Sequence, residues 1–192
     1  MPFRELVTKC RNYRRFDGTV PVSEGMVREL VELACYAPSV SNLQPLKYIA
    51  ICDPSLVAAL YPCLSLTDSP ADCPGLAEND SPRAFIVMLG DFSVSSDFAF
   101  DSGIAAQTML LGATASGLGG FISGFLEPEK VRKLLKIPES FSILMAIALG
   151  KPVGTVVIDQ MGDDDSVCCF RDANGIHHVP KRVVDDVLLN VL

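Results

Sequence analysis

Two continuous apolar runs of strand length, RAFIVMLG at 83–90 and SILMAIALG at 142–150, limit this fold most sharply. A strand with one wet face alternates apolar and polar side chains, because successive residues point to opposite faces. Neither run alternates, so both belong in a sheet covered on its two sides. The covering helices are also legible. Val27, Leu30, Val31, Ala34 and Cys35 recur at three-and-four spacing over 24–36, behind Ser23 as an N-cap. Ala37-Pro38 ends that helix, since the residue before a proline is pushed out of the helical region.

The rest of the chain continues the alternation. A short helix over 2–11 runs into a basic cluster, and KYIAICD (47–53) reads as a strand. DSGIAAQTMLLGATASGLGG (101–120) is helical, with small residues on several sides. A helix over about 128–136 opens on Pro128. VCCFRDANGIHHV (167–179) predicts two short strands joined around Asn174-Gly175, and KRVVDDVLLNVL closes as a helix or extended arm. The stretch 62–82, with four prolines and no period, predicts a long surface loop, a common form for a lid or binding segment. No repeat or linker interrupts this order. The expectation is one domain over 1–192 of the α/β or α+β class, with a C-terminal arm at about 167–192.

Charge narrows the ligand. A formal net charge of −7 argues against general affinity for nucleic acid. Basic residues nevertheless gather at Arg11, Arg14 and Arg15, at Lys130, Arg132, Lys133 and Lys136, and at Lys181-Arg182. A locally basic pocket in an acidic chain suits a small anion. The opening MPFRELVTKCRNYRRF carries charges where a signal peptide needs an apolar core, and the apolar region Phe98–Phe125 is broken by Asp101, Gln107 and glycines. Neither secretion nor a membrane span is expected. Seven cysteines without a C-x-x-C pair, and two histidines, give a metal site little support. The thiols read as core residues in a reducing, cytoplasmic compartment, and Cys168-Cys169 as a strand with one thiol facing each way. His177 and His178 read as hairpin residues rather than catalysts.

No G-x-S-x-G and no Walker A occur, and the glycine-rich GLGGFISG (117–124) follows a helix rather than a strand, which excludes an ordinary dinucleotide fingerprint. Four segments in order do resemble the FMN-dependent nitroreductase family: RNYRRF (11–16), APSVSNLQP (37–45), GLGGFISGF (117–125) and VPKR (179–182). The resemblance implies a three-layer α-β-α fold of the α+β class, with a central mixed sheet flanked by helices. It also implies an intertwined homodimer with non-covalent FMN at the interface, for which the helix from Gly103 to Gly117 is the natural contact.

The family pattern assigns roles. Arg11 and the Lys181-Arg182 pair would neutralise the FMN phosphate. Arg14 would offset charge at N1 and O2 of the reduced ring, and Asn12 would hydrogen-bond the cofactor. Pro38, Ser39 and Val40 would line the flavin. Asn42 would bind its polar parts, and Gln44-Pro45 would fix the turn into the next strand. A turn at Ile122-Ser123-Gly124 would let the backbone approach N5. Asn79 is a candidate for the flavin pyrimidine, and Leu46 stands where relatives often carry a large aromatic. On this resemblance NAD(P)H delivers hydride to N5 and leaves, and a nitroaromatic, quinone or enone then takes the electrons in a ping-pong cycle. No side chain need act as acid or base. The alternatives are another flavin chemistry on the same fold, such as dehalogenation or flavin destruction, or a flavin-binding sensor without rapid turnover.

Overall fold

The computed structural model describes residues 1–65, 80–162 and 166–192. They form two compact units, the larger over 1–65 and 80–152 and the smaller over 153–162 and 166–192.

In the larger unit, α1 (Phe3–Lys9) is followed by α2 (Glu24–Cys35). Ser23 caps α2 by accepting the Met26 amide at 3.2 Å. Val27, Leu30 and Ala34 are buried as the spacing requires, but Cys35 is exposed because the helix ends there, off the packed stripe. The strand β1 (Leu46–Ile51) leads to a helix that the sequence pattern did not predict, α3 (Pro54–Leu60). Its start signal is present: Asp53 accepts the Ser55 and Leu56 amides at 3.0 and 2.9 Å, and Pro54 opens the first turn. Of the expected loop at 62–82, residues 66–79 lie outside the described residues, Asn79 among them. Its beginning is ordered by a 3-10 turn, Tyr61–Cys63, and by a bridge from Leu64 to Phe125.

Next come β2 (Ala84–Asp91), α4 (Ala99–Ala115), β3 (Gly119–Ser123), α5 (Pro128–Leu135) and β4 (Phe141–Gly150). The sheet order is β1-β2-β4-β3, each pair antiparallel. A parallel bridge from Asn12 to Gly120 continues it at the β3 edge, so the sheet with its bordering segment is mixed. Alternate residues of β2 serve two cores. Ile86 and Met88 pack with α2 and α4 through Leu30, Ala106 and Met109. Phe85 and Val87 face the other way, among Leu60, Phe121 and Val131. The unit is therefore three layers, helix on sheet on helix, as the unbroken apolar runs require. The small residues of α4 let α2 come close: a Cβ at Gly112 would stand 2.4 Å from Leu33.

The smaller unit holds β5 (Val156–Gln160), β6 (Phe170–Arg171), β7 (His177–Lys181) and a single turn, α6 (Val184–Val187). The hairpin expected around Asn174-Gly175 is the β6–β7 pair, with Gly175 at φ +77°. Asp172 ties it by accepting the Asn174 and Ile176 amides at 2.9 and 2.8 Å. Both histidines lie in this hairpin. His178 stacks on Phe170, with centroids 4.6 Å apart, and its Nδ1 meets Asp159 Oδ2 at 2.7 Å. The parallel partner β5 was not foreseen. Cys168 and Cys169 precede β6 instead of forming a strand.

Six described cysteines carry free thiols, but only Cys10 and Cys63 are buried, so the expectation of mostly core thiols is corrected. Among the described residues no helix is long and apolar enough to cross a membrane.

Candidate functional site

The basic segment 11–16 lies along β3; Gly119 makes room for it, and Gly120 makes room for the neighbouring strand. A Cβ on Gly119 would stand 2.7 Å from the Tyr13 ring, and one on Gly120 would stand 2.3 Å from the Ala148 carbonyl oxygen. With no side chain in the way, the Tyr13 amide donates to the Gly120 carbonyl at 3.1 Å. Phe16, almost wholly buried, stacks on Phe121 with centroids 6.3 Å apart. Arg15 pairs with Asp80 at 2.7 Å, and the Phe16 amide donates to the Asp80 carbonyl at 3.2 Å. The segment is thus pinned at several points.

Two cations of this segment are not neutralised by a carboxylate among the described residues. The Arg14 guanidinium sits 5.4 Å above the Phe121 ring centroid. Arg11 donates from Nη2 to the Val7 carbonyl at 2.9 Å, while its buried Nε has no partner among the described residues. A buried donor without an acceptor costs about 1–3 kcal/mol, so Arg11 is poised for an acidic acceptor. Tyr61, which sequence reasoning missed, belongs to the same neighbourhood. Burial pushes its phenol up to about 12 against the pull of Arg14, with Asp80 adding to the rise, and its buried hydroxyl has no partner among the described residues. It stays a neutral donor. No sequence pattern marks it, because only the 3-10 turn brings it near Arg14.

Ile122, Ser123 and Gly124 were expected as a turn. Ile122 and Ser123 are instead the end of strand β3, paired with Ile147 and Ala146, since the glycines serve packing and leave the ladder intact. The Ser123 hydroxyl is buried and donates to the carbonyls of Ser65 and Gly124 at 2.7 and 3.0 Å. Gly124 lies just past the strand, and no other described residue comes within 4 Å of where a Cβ would be; its carbonyl accepts the Ser65 amide at 2.8 Å.

The second group of candidates, Pro38 to Gln44, stands at the other edge of the sheet, before β1. Here Ser41, Asn42 and Gln44 all take left-handed backbone angles, φ 51°, 56° and 52°. Such angles cost roughly 1–2 kcal/mol each for residues with a Cβ, least for Asn. Local bonds offset that cost: Ser39 Oγ accepts the Gln44 amide at 2.9 Å, and Gln44 Nε2 donates to the Asn42 carbonyl at 3.1 Å. The Val40 amide donates to buried Asp101 of α4 at 2.8 Å. At the far end the Asp91 amide donates to the Pro45 carbonyl at 2.9 Å. Val40 and Asn42 are left exposed. A cleft of about 220 Å³ beside the loop is lined by Pro38, Ser39, Gln44, Tyr48 and Asp101.

One chain therefore holds two separate groups. Neighbouring strands lie about 4.8 Å apart, so with β2 and β4 between them roughly 14 Å separates β1 from β3. The structure lays Asn12 and Arg14 against β3, at Gly120 and Phe121, leaves Arg11 bonded to Val7 of α1, and brings Pro38, Ser39, Val40, Asn42 and Gln44 together, but it does not join the two groups. Lys181 ends β7 and Arg182 comes directly after it, both exposed in the smaller unit. Among the described residues no His, Cys, Asp and Glu cluster could hold a metal.

Both edge groups fall within matched sequence. The family model described as Nitroreductase family matches residues 7–67 and 95–151, more than half of the chain. A protein of Thermus thermophilus named NADH dehydrogenase is 28% identical over 172 residues, covering 75% of this chain and 83% of that one. The NADPH-flavin oxidoreductase of Vibrio harveyi is 28% identical over 165 residues, covering 77% of this chain and 65% of the relative. A solved structure described as NADPH:FMN oxidoreductase from Vibrio harveyi complexed with NAD+ superposes with a TM-score of 0.61 at 28% identity. That superposition covers 78% of this chain and 68% of the other. With its basic segment laid along β3 and its Pro-Ser-x-x-Asn-x-Gln-Pro loop at the opposite edge, this chain belongs to the nitroreductase family.

Proposed function

We propose that this protein is an FMN-dependent oxidoreductase that takes electrons from NAD(P)H and hands them to a small acceptor, acting as a cytoplasmic homodimer. The observation that carries the reading is the pair of cations of the 11–16 segment that no carboxylate among the described residues neutralises: Arg14 over Phe121 of β3, and Arg11, whose Nε has no partner among those residues. These residues fit FMN: two guanidinium forks suit an anionic cofactor, and bare backbone suits a flat ring. The names of the relatives support the same choice, one being NADPH-flavin oxidoreductase and one NADPH:FMN oxidoreductase.

When bound, FMN supplies the two-electron chemistry that links a nicotinamide donor to an acceptor such as a nitroaromatic, a quinone or an enone. The work of the chain is to bind, orient and set charge. Arg14, held against Phe121, stabilises negative charge on a bound ring, and Asn12 adds hydrogen-bonding groups at the same edge. Arg11 brings charge of the kind a phosphate needs, and in the smaller unit the exposed pair Lys181-Arg182 is a second source of it. Ser123 spends its hydroxyl on Ser65 and Gly124, so the β3 end presents backbone rather than a side-chain acid or base. The loop from Pro38 to Gln44 supplies the polar groups of Asn42 and the apolar surface of Val40.

The dimer rests on the distance between the two groups. The two groups stand at opposite edges, with two strands between them that are packed over on both faces, whereas a second copy can bring its Pro38–Gln44 loop to the first copy's β3 edge. Apolar surface for such an assembly is present. Phe100 of α4 is 72% exposed, and Ile104 on the same helix is exposed as well. Free thiols suit the reducing cytoplasm.

Purified with FMN available, the protein is expected to be yellow, to sediment at twice the mass of one chain, and to be bleached rapidly by NADH or NADPH in stopped flow. Colour should return when a nitroarene or quinone is added. A flavin complex that ignores both nucleotides would remove the oxidoreductase reading. A colourless monomer that never takes up FMN would remove the cofactor as well.

A further inference from the structure

The carboxylate of Asp101 is among the few buried polar groups of the described residues, only 5% exposed, and no basic side chain of those residues lies within ion-pair distance of it. Its place in the first turn of α4, where the helix dipole is positive, makes a buried negative charge tolerable. At the start of α4 a different carboxylate, Asp97, accepts the Ala99 amide at 3.0 Å. What Asp101 does hold lies 61 residues earlier in the chain: the Val40 amide, donated to its Oδ1 at 2.8 Å.

That amide opens the turn in which Ser41, Asn42 and Gln44 sit at left-handed angles. Among the described residues the other hydrogen bonds of the turn are internal to it. Ser39 holds Gln44 and Gln44 holds Asn42, so they fix its shape but not its position. The Pro45 carbonyl is fixed to Asp91 in the sheet. At the Val40 end the bond to Asp101 is the tie that fastens the turn to a helix of the core. A strained turn keeps its angles only where the surroundings over-determine them.

We infer that Asp101 is a positioning residue: by anchoring the Val40 amide to α4 it pre-organises the Ser39–Gln44 loop for the cofactor. The inference rests on the FMN reading for its consequence, but not for the anchor itself. Without the anchor the loop relaxes toward ordinary angles, Val40 and Asn42 leave their places, and the cofactor must order them again on binding.

Two variants and two measurements test this. Asp101→Ala removes the acceptor. Asp101→Asn keeps an oxygen for the Val40 amide and removes the charge. In the FMN-free proteins, hydrogen exchange of the peptide spanning Val40 to Leu43 is expected to be at least tenfold faster in Asp101→Ala than in the wild type. Exchange in β2 and β4 should be unchanged, and Asp101→Asn should stay within about threefold of the wild type throughout. FMN titrated by quenching of its fluorescence is expected to bind Asp101→Ala at least tenfold more weakly, with its visible band shifted toward that of free flavin, and Asp101→Asn should restore both. Wild-type exchange at Val40 in a folded Asp101→Ala protein overturns the anchor. Faster exchange with unchanged FMN affinity overturns its role toward the cofactor. An Asn variant as impaired as Ala overturns the hydrogen bond as the cause. If the wild type itself takes up no FMN, the functional reading fails while the exchange experiment still decides the anchor.

Discussion

Arg14→Glu is expected to leave purification colourless, with a far-UV spectrum that overlays the wild type. The substitution exchanges a cation for an anion at a position that Phe121 and the backbone bond from Tyr13 to Gly120 hold in place. Losing a charge-assisted bond to an anionic cofactor costs about 1.5–3 kcal/mol, and placing a like charge beside it costs several more. A total of about 4 kcal/mol corresponds to roughly a thousandfold weaker binding, enough to strip FMN during chromatography. The fold has little reason to suffer, because the segment is anchored by its neighbours, through the Arg15 pair with Asp80 and the stacking of Phe16 on Phe121. Arg14→Lys separates charge from geometry: it keeps the cation and loses the planar fork, so binding should weaken by about tenfold. Retention of one FMN per chain by a folded Arg14→Glu protein would show that this guanidinium does not face the cofactor.

How far each part of this arrangement is legible in the sequence depends on what fixes it. The central strands are legible because unbroken apolar runs have one reading at that length, and α2 because Ser23 and the Val27, Leu30, Ala34 spacing state both its start and its face. The helix α3 escapes although Asp53-Pro54-Ser55 is a start signal, since a helix of 7 residues is too short to display a period. In β5, Val156, Val157 and Ile158 form a β-branched run, but so short a run gains its strand geometry only from pairing with β7. The glycines at 119 and 120 lie in the expected neighbourhood and serve a different purpose there. They look like a flexible turn, and they are a strand made bare because Tyr13 and the Ala148 carbonyl occupy the space. Sequence cannot report a neighbour that comes from more than a hundred residues away.

The candidate site divides along the same line. Its residue types were legible, and so was the family, but the separation of the loop at Pro38–Gln44 from Arg14 depends on the order β1-β2-β4-β3, which no local pattern encodes. Asp101 does not stand out because an acidic residue in the first turn of a helix has an ordinary explanation. Only the Val40 amide, from another element, gives it a second one. Tyr61 has no signature at all, and its neutral hydroxyl matters through burial beside Arg14.

The glycine packing gives the second large effect, at Gly120→Ala. A glycine inside a strand loses more backbone freedom on folding than alanine does, so where space allows, the exchange should stabilise by roughly 0.5–1 kcal/mol. At Gly120 space does not allow it. The new Cβ would stand 2.3 Å from the Ala148 carbonyl oxygen and 3.0 Å from Leu110 of α4. The oxygen belongs to the backbone of β4, which is paired on both sides, and Leu110 is buried in the core, so neither can yield without moving its element. Overpacking of this kind costs about 3 kcal/mol, which exceeds the entropic gain severalfold. The urea midpoint should fall accordingly. The parallel bridge to Asn12 is set by the same residue, so the 11–16 segment should loosen and FMN affinity should drop together with stability. Gly25→Ala is the contrast: it lies in α2 with Ser23 Oγ 3.8 Å away as its nearest neighbour, and it should be neutral or stabilising. If both alanine variants raise the midpoint, β3 does not pack its bare backbone at Gly120 against β4 and Leu110 of α4.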